Sequence, residues 1–95
     1  MDVIDVTVER IEGGSLATVG VEQSGRHTEH RVTAMDEDLE RYGASDVADL
    51  VRRSFEFLLA REPNTSILRA FRITEIERYF PAFRQDISSG TRRDV

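Results

Sequence analysis

Ninety-five residues suffice for one domain, and 39% apolar with 33% charged residues is the composition of a globular protein. The net charge is −5. The chain has no cysteine and all 13 of its basic residues are arginine, which excludes thiolate, disulfide and lysine chemistry. No apolar run approaches the ~20 residues of a transmembrane helix, and the N-terminal residues lack a signal-peptide pattern. We therefore expect a cytoplasmic protein with no membrane association.

The first third of the chain has the pattern of β-strands. Apolar and polar residues alternate over residues 3–11, 16–22 and 26–35, which is the period of a half-buried strand. Glycine-containing turns at residues 12–15 and 24–25 separate these segments. Because short turns join antiparallel strands, we predict a three-stranded antiparallel meander with one buried face.

The periodicity then changes to that of helices. Residues 36–42, acidic at their start and followed by Gly43, predict a short helix. The main amphipathic helix is predicted for residues 46–61, with Ser45 as its N-cap and Pro63 beyond its end. The contact between sheet and main helix is expected to contain Ile4, Val6, Val8, Val19, Val21, Val51, Phe55 and Leu58.

Shorter helices are predicted after the main helix. Residues 64–66 can cap a third helix over residues 67–71, and Thr74 with Glu77 forms a capping box that opens a fourth. Pro81 interrupts this fourth helix.

These elements define one α+β domain over residues 1–87, with a three-stranded meander, one main helix and two or three short helices. Residues 88–95 lack an apolar pattern, and we expect them to form a flexible C-terminal tail. No internal repeat or linker divides the chain.

The sequence contains few candidates for catalysis. His27 and His30 fall on opposite faces of a strand, so they cannot share a metal ion. Gly13 and Gly14 lack the lysine and following helix of a phosphate-binding loop. No Gly-x-Ser-x-Gly motif is present for acyl transfer. We therefore predict that the protein is not an enzyme and has no cofactor, metal site or catalytic residue.

All seven aromatic residues lie in the second part of the chain. They are Tyr42, Phe55, Phe57, Phe71, Tyr79, Phe80 and Phe83. One hypothesis is that the short helices wrap the main helix and bury the whole set. The other is that part of the set forms an interface with a second copy or another protein. We expect Phe71 and Ile76 inside, and some of Tyr79, Phe80 and Phe83 at a dimer contact.

Residues 50–87 resemble a family of short, uncharacterised bacterial proteins. The resemblance is carried by Ser66-Ile67-Leu68, by Phe71 and by Arg78-Tyr79-Phe80-Pro81. It implies a bacterial domain and transfers neither an activity nor a site, because the family has no established activity.

Two functional hypotheses follow. The first is a non-enzymatic protein-interaction or regulatory module that forms a homodimer or binds another protein. The alternative is a nucleic-acid-associated, antitoxin-like regulator, in which Arg52, Arg53 and Arg61 would contact phosphate. The net negative charge and the lack of a basic block disfavour nucleic acid as the partner.

Overall fold

A computed structural model describes residues 2–91 of the chain, and a four-stranded sheet forms one of its layers. Strands β1 (Val3–Ile11), β2 (Gly14–Gln23) and β3 (Arg26–Met35) are antiparallel neighbours, which confirms the predicted meander. A fourth strand, β4 (Ala70–Arg72), pairs in parallel with β3 and was not predicted. The fold class is therefore α+β, with one strand more than the sequence pattern indicates.

Glycines close both turns of the meander. Gly13 and Gly25 adopt φ values of 77° and 78°, which glycine tolerates at little cost. Gly14 is required for a different reason, because it lies against the neighbouring strand β3. A Cβ atom at Gly14 would lie 2.7 Å from the carbonyl oxygen of Ala34 and 2.7 Å from the Cα of Met35.

The sheet buries one face, as the alternation predicts. Its buried residues on β2 and β3 are Ser15, Ala17, Val19, Val21, Thr28, His30, Val32 and Ala34. Val8 was expected in this contact but is 38% exposed. It lies on β1, an edge strand with no neighbour on its outer side, so the sheet covers it incompletely.

Two helices follow the meander. Helix α1 (Asp36–Tyr42) ends at Gly43, whose φ of 66° is left-handed as the glycine stop predicts. Helix α2 (Val47–Leu59) is capped by Asp46, whose carboxylate accepts a backbone hydrogen bond at 3.1 Å, and not by Ser45. The buried stripe of α2 consists of Leu50, Val51, Ser54, Phe55, Phe57 and Leu58.

The chain after α2 contains less helix than predicted. A single 3₁₀ turn at Asn64–Ser66 leads to β4, and a second at Ile73–Glu75 leads to α3 (Ile76–Tyr79). Helix α4 (Phe83–Thr91) follows Pro81 and extends into the segment predicted as a tail. Residues 92–95 of that tail lie outside the described residues. Within residues 2–91, no helix has the length and apolar character needed to cross a membrane.

The predicted third helix is replaced by β4 because β3 offers an unpaired edge. Arg31 donates its backbone N–H to the carbonyl of Arg69 at 2.7 Å, and Phe71 pairs with Val32. This extended pairing satisfies backbone groups on both strands and buries the Phe71 ring.

The predicted capping box is also displaced. Glu75, and not Glu77, accepts a hydrogen bond from the backbone N–H three residues earlier, at Arg72. Thr74 consequently does not cap α3, which continues directly from the 3₁₀ turn.

Candidate binding groove

A partly open groove lies beside the C-terminal end of α2, bounded by the segment from Glu62 to Phe71 and by α3. Its volume is about 400 Å³, which is at the lower end of the range for ligand sites. We refer to this feature as the groove.

Buried apolar side chains form the floor of the groove. Leu58 comes from the last turn of α2, Ile67 from the turn after it, Phe71 from β4 and Ile76 from the start of α3. All four are buried, and Phe71 and Ile76 are internal as predicted. The groove floor is thus part of the hydrophobic core, so its shape is fixed by packing.

The rim of the groove carries the most exposed apolar groups of this region. Leu68 is 47% exposed and Tyr79 is 64% exposed, whereas Phe80 is half-buried against Phe57 with ring centroids 5.9 Å apart. Among the described residues, Val3 and Val8 on β1 are the other large apolar side chains with comparable exposure. The groove therefore combines an apolar floor with apolar side chains that face solvent.

The polar part of the lining is acidic. Glu62 is partly buried, and its burial raises the pKa of its carboxyl group. Among the described residues, no hydrogen bond or ion pair is formed by the Glu62 side chain. Glu75 accepts one long hydrogen bond, 3.4 Å, from the backbone N–H of Arg72. With Ser66, these two carboxylates complete the lining.

The three residues predicted for an interface separate into two groups. Tyr79 and Phe80 line the groove. Phe83 is 0% exposed, with its ring centroid 5.2 Å from that of Tyr42 and 5.1 Å from that of Phe57. Phe83 is thus a core residue of this chain, and the expectation that some of the three residues form an interface stays a prediction.

The two histidines diverge, as their spacing predicts. His30 is buried, its Nδ1 donates to the carbonyl of Leu68 (2.8 Å), and its Nε2 accepts from Thr28 Oγ1 (2.9 Å). His27 is exposed on the other face of the sheet, where its Nδ1 lies 3.1 Å from Oε2 of Glu22. Within residues 2–88, no group of three or more His, Asp or Glu side chains is arranged to hold a metal ion.

The predicted phosphate-binding arginines all form contacts within the chain. Arg52 donates to the carbonyl of Ile4 at 2.7 Å, and Arg53 pairs with a carboxylate one turn earlier in α2 at 2.9 Å. Arg61 donates to a carbonyl in α2 at 2.9 Å and lies 3.3 Å from Asp86. Their guanidinium groups thus already have partners, and the nucleic-acid hypothesis gains no support from them.

An ionic contact attaches α3, one wall of the groove, to α1. Arg41 donates to both carboxylate oxygens of Glu77, at 2.9 and 2.8 Å, and the hydroxyl of Tyr42 donates to the same carboxylate. Hydrogen bonding by Arg41 lowers the pKa of Glu77 to about 2. The pKa of Tyr42 is raised, mainly by burial and also by this carboxylate.

A second contact attaches β4 to the start of α1. Asp38 is buried, accepts the backbone N–H of Met35 at 2.9 Å, and binds Arg72 through both carboxylate oxygens at 3.0 and 2.8 Å. Arg72 also reaches Glu37 at 2.8 Å. Charge-assisted hydrogen bonds thus attach both α3 and β4 to the short helix α1.

Sequence reasoning identified Tyr79 and Phe80 but missed the other rim and acidic residues. Leu68 was assigned to a helix, and Glu62 was considered only as the residue before Pro63. A carboxylate preceding a proline at the end of an apolar helix gives no local sign that it will be desolvated.

No known protein family, curated protein or solved structure matches the chain. The resemblance over residues 50–87 therefore stays a prediction, and the groove is the feature of the molecule that bears on function.

Proposed function

We propose that this protein is a non-enzymatic interaction module that binds an apolar segment of another protein molecule in the groove. The observation that carries the proposal is the pair of exposed apolar side chains, Leu68 and Tyr79, at the rim of an apolar groove. Exposure of such groups costs free energy in the isolated protein, and a partner that covers them recovers it.

The arrangement of the groove fits recognition better than catalysis. Its floor is apolar, and the charged side chains in its lining are Glu62 and Glu75. The buried histidine beside it, His30, has both ring nitrogens in hydrogen bonds, Nδ1 with the backbone carbonyl of Leu68 and Nε2 with the hydroxyl of Thr28 on the same strand. These groups position the groove and leave no paired nucleophile and base within it.

An NMR titration with a neutral amphipathic peptide tests the proposal. The peptide has Leu and Phe at helical spacing and Gln at its polar positions. We expect saturable shifts centred on Leu68, Tyr79 and Phe80. The Leu68→Gln, Tyr79→Gln double variant should bind at least about tenfold more weakly.

The matched control is Val8→Gln, which changes an exposed apolar residue on β1 outside the groove. It should bind as the unmodified protein does. Shifts centred on β1, or equal binding by the double variant, would exclude the groove as the binding site.

A further inference from the structure

The charge inside the groove identifies the kind of segment it accepts. Among the side chains that line the groove, two are carboxylates and none is basic. A carboxylate beside apolar groups has lost part of its hydration, so it gains more from a cation than an exposed carboxylate does.

Of the two carboxylates, Glu62 is the one that gains most from a positively charged partner. The guanidinium group of its neighbour Arg61 lies 3.6 Å from the ring centroid of Phe57 and pairs with Asp86, and no ion pair joins it to Glu62 among the described residues. Burial raises the pKa of the Glu62 carboxyl group, which is the sign of a charge that lacks compensation.

Glu75, the second carboxylate of the lining, has no basic side chain as a partner in the part of the chain that the structure describes. Two basic side chains, Arg72 and Arg78, lie three positions from it in sequence. Arg72 is bound to Asp38 and Glu37, and among the described residues no ion pair joins Arg78 to Glu75. Only the backbone N–H of Arg72 contacts the Glu75 carboxylate, at 3.4 Å. Tyr79, also in the lining, offers an aromatic face on which a guanidinium can stack.

Resting on the proposed function, we infer that the groove selects a segment of a different protein in which an Arg or Lys side chain accompanies the apolar residues. The apolar residues cover Leu68 and Tyr79, and the cation pairs with Glu62. The long apolar stem of an Arg or Lys suits this task because it can lie along the floor while its head group meets the carboxylate.

A second copy of this chain fits the groove less well. A twofold dimer places the same patch of both molecules together. Two grooves that face each other would bring Glu62 and Glu75 of one molecule towards the same carboxylates of the other, and no basic side chain lines either groove. Like charges in such a contact oppose association.

Three peptides that differ only in charge test the inference. All have the same Leu and Phe positions, and their polar positions are filled with Arg, Gln or Glu. We expect the unmodified protein to bind the Arg peptide at least about fivefold more tightly than the Gln peptide, and the Glu peptide most weakly. Glu62→Gln should bring the Arg peptide close to the affinity of the Gln peptide, while binding of the Gln peptide is retained.

The control variant is Glu12→Gln, which removes the same charge from the exposed turn between β1 and β2. If Glu12→Gln reduces the preference for Arg as much as Glu62→Gln does, general attraction to an acidic protein explains the preference and the inference is wrong. Equal binding of all three peptides at the groove overturns the inference but leaves the proposed function intact. Failure of all three to bind overturns both. Sedimentation of the free protein tests whether a second copy of the chain occupies the groove. A dimer that Tyr79→Gln disperses would show that it does, and the inference of a different protein as partner would be wrong.

Discussion

The imidazole of His30, in the middle of β3, lies 2.8 Å from the backbone carbonyl of Leu68, at the rim of the groove. Because a carbonyl only accepts, Nδ1 carries the proton, and in the neutral ring Nε2 accepts from the hydroxyl of Thr28. The ring also packs 5.2 Å from Phe55. One buried side chain thus joins the sheet, the main helix and the groove.

This arrangement predicts a pH dependence of stability. Burial lowers the pKa of His30 below its ordinary value of 6.5, although the bond to Leu68 opposes the shift and Arg69 adds to it. The unfolded chain therefore binds a proton at His30 more readily than the folded chain does. The contribution of His30 to the free energy of unfolding is fully present above pH 6.5 and is lost as the pH falls below it. Urea midpoints between about pH 5 and pH 8 measure the effect.

The matched variants for this experiment are His30→Gln and His27→Gln. Replacement of His30 should flatten the dependence in that window, whereas replacement of the exposed His27 should leave its slope unchanged. An unaltered slope in His30→Gln would assign the dependence to other groups.

The contact of Glu77 with Arg41 and Tyr42 predicts a loss of stability on removal of one charge. Glu77→Gln should lower the free energy of unfolding by about 1–2 kcal/mol at neutral pH, because the amide carries no charge and keeps only one of the two oxygens that accept from Arg41 and Tyr42. The pKa of Glu77 is lowered from 4.5 to about 2, so its contribution is present above pH 4.5 and is lost as the pH falls towards 2.

Urea unfolding at neutral pH and at about pH 3 checks both parts of this prediction. The difference between the unmodified protein and Glu77→Gln should be smaller at the lower pH. Glu40→Gln, which removes an exposed carboxylate from the same helix as Arg41, is the charge-matched control and should change stability little. Equal effects of the two variants would contradict the assigned role of Glu77.

The different positions of Phe83 and Phe80 predict different costs of truncation. Phe83→Ala removes a ring with no exposure and should cost about 3–5 kcal/mol. Phe80→Ala removes a half-buried ring that contacts Phe57 from one side, and should cost about 1–2 kcal/mol. Denaturant unfolding of both variants measures the difference, and equal costs would show that Phe80 also belongs to the core.

Local patterns predicted the parts of this fold that depend on neighbouring residues. The meander and α2 follow from alternation and helical periodicity, which residues close in sequence determine. Strand β4 was missed because it has three residues, and its parallel pairing with β3 joins segments about 39 positions apart. No local signal distinguishes an aromatic residue that pairs across the fold, such as Phe83 with Tyr42, from one that lines a surface.

The same limit applies to the candidate site. Tyr79 and Phe80 were predicted as interface residues because aromatic residues are concentrated outside the meander, and both line the groove. Glu62 was missed because its burial depends on the folded chain, in which it shares the groove with residues distant in sequence such as Phe80.

The last prediction concerns two glycines on the same strand. A Cβ at Gly14 would lie 2.7 Å from two backbone atoms of β3, which cannot move without disturbing the pairing of β2 with β3. Gly14→Ala should therefore cost about 1–3 kcal/mol through overpacking. A Cβ at Gly20 would meet only the Cε1 of His27, at an ordinary distance of 3.5 Å, on the exposed face of the sheet. Gly20→Ala should be neutral or slightly stabilising, because alanine reduces the conformational freedom of the unfolded chain. Thermal or urea unfolding of the two variants measures the change in stability at each position. An equal loss of stability at both would contradict the prediction, because it would show that any added side chain destabilises β2, whether or not it meets the backbone of β3.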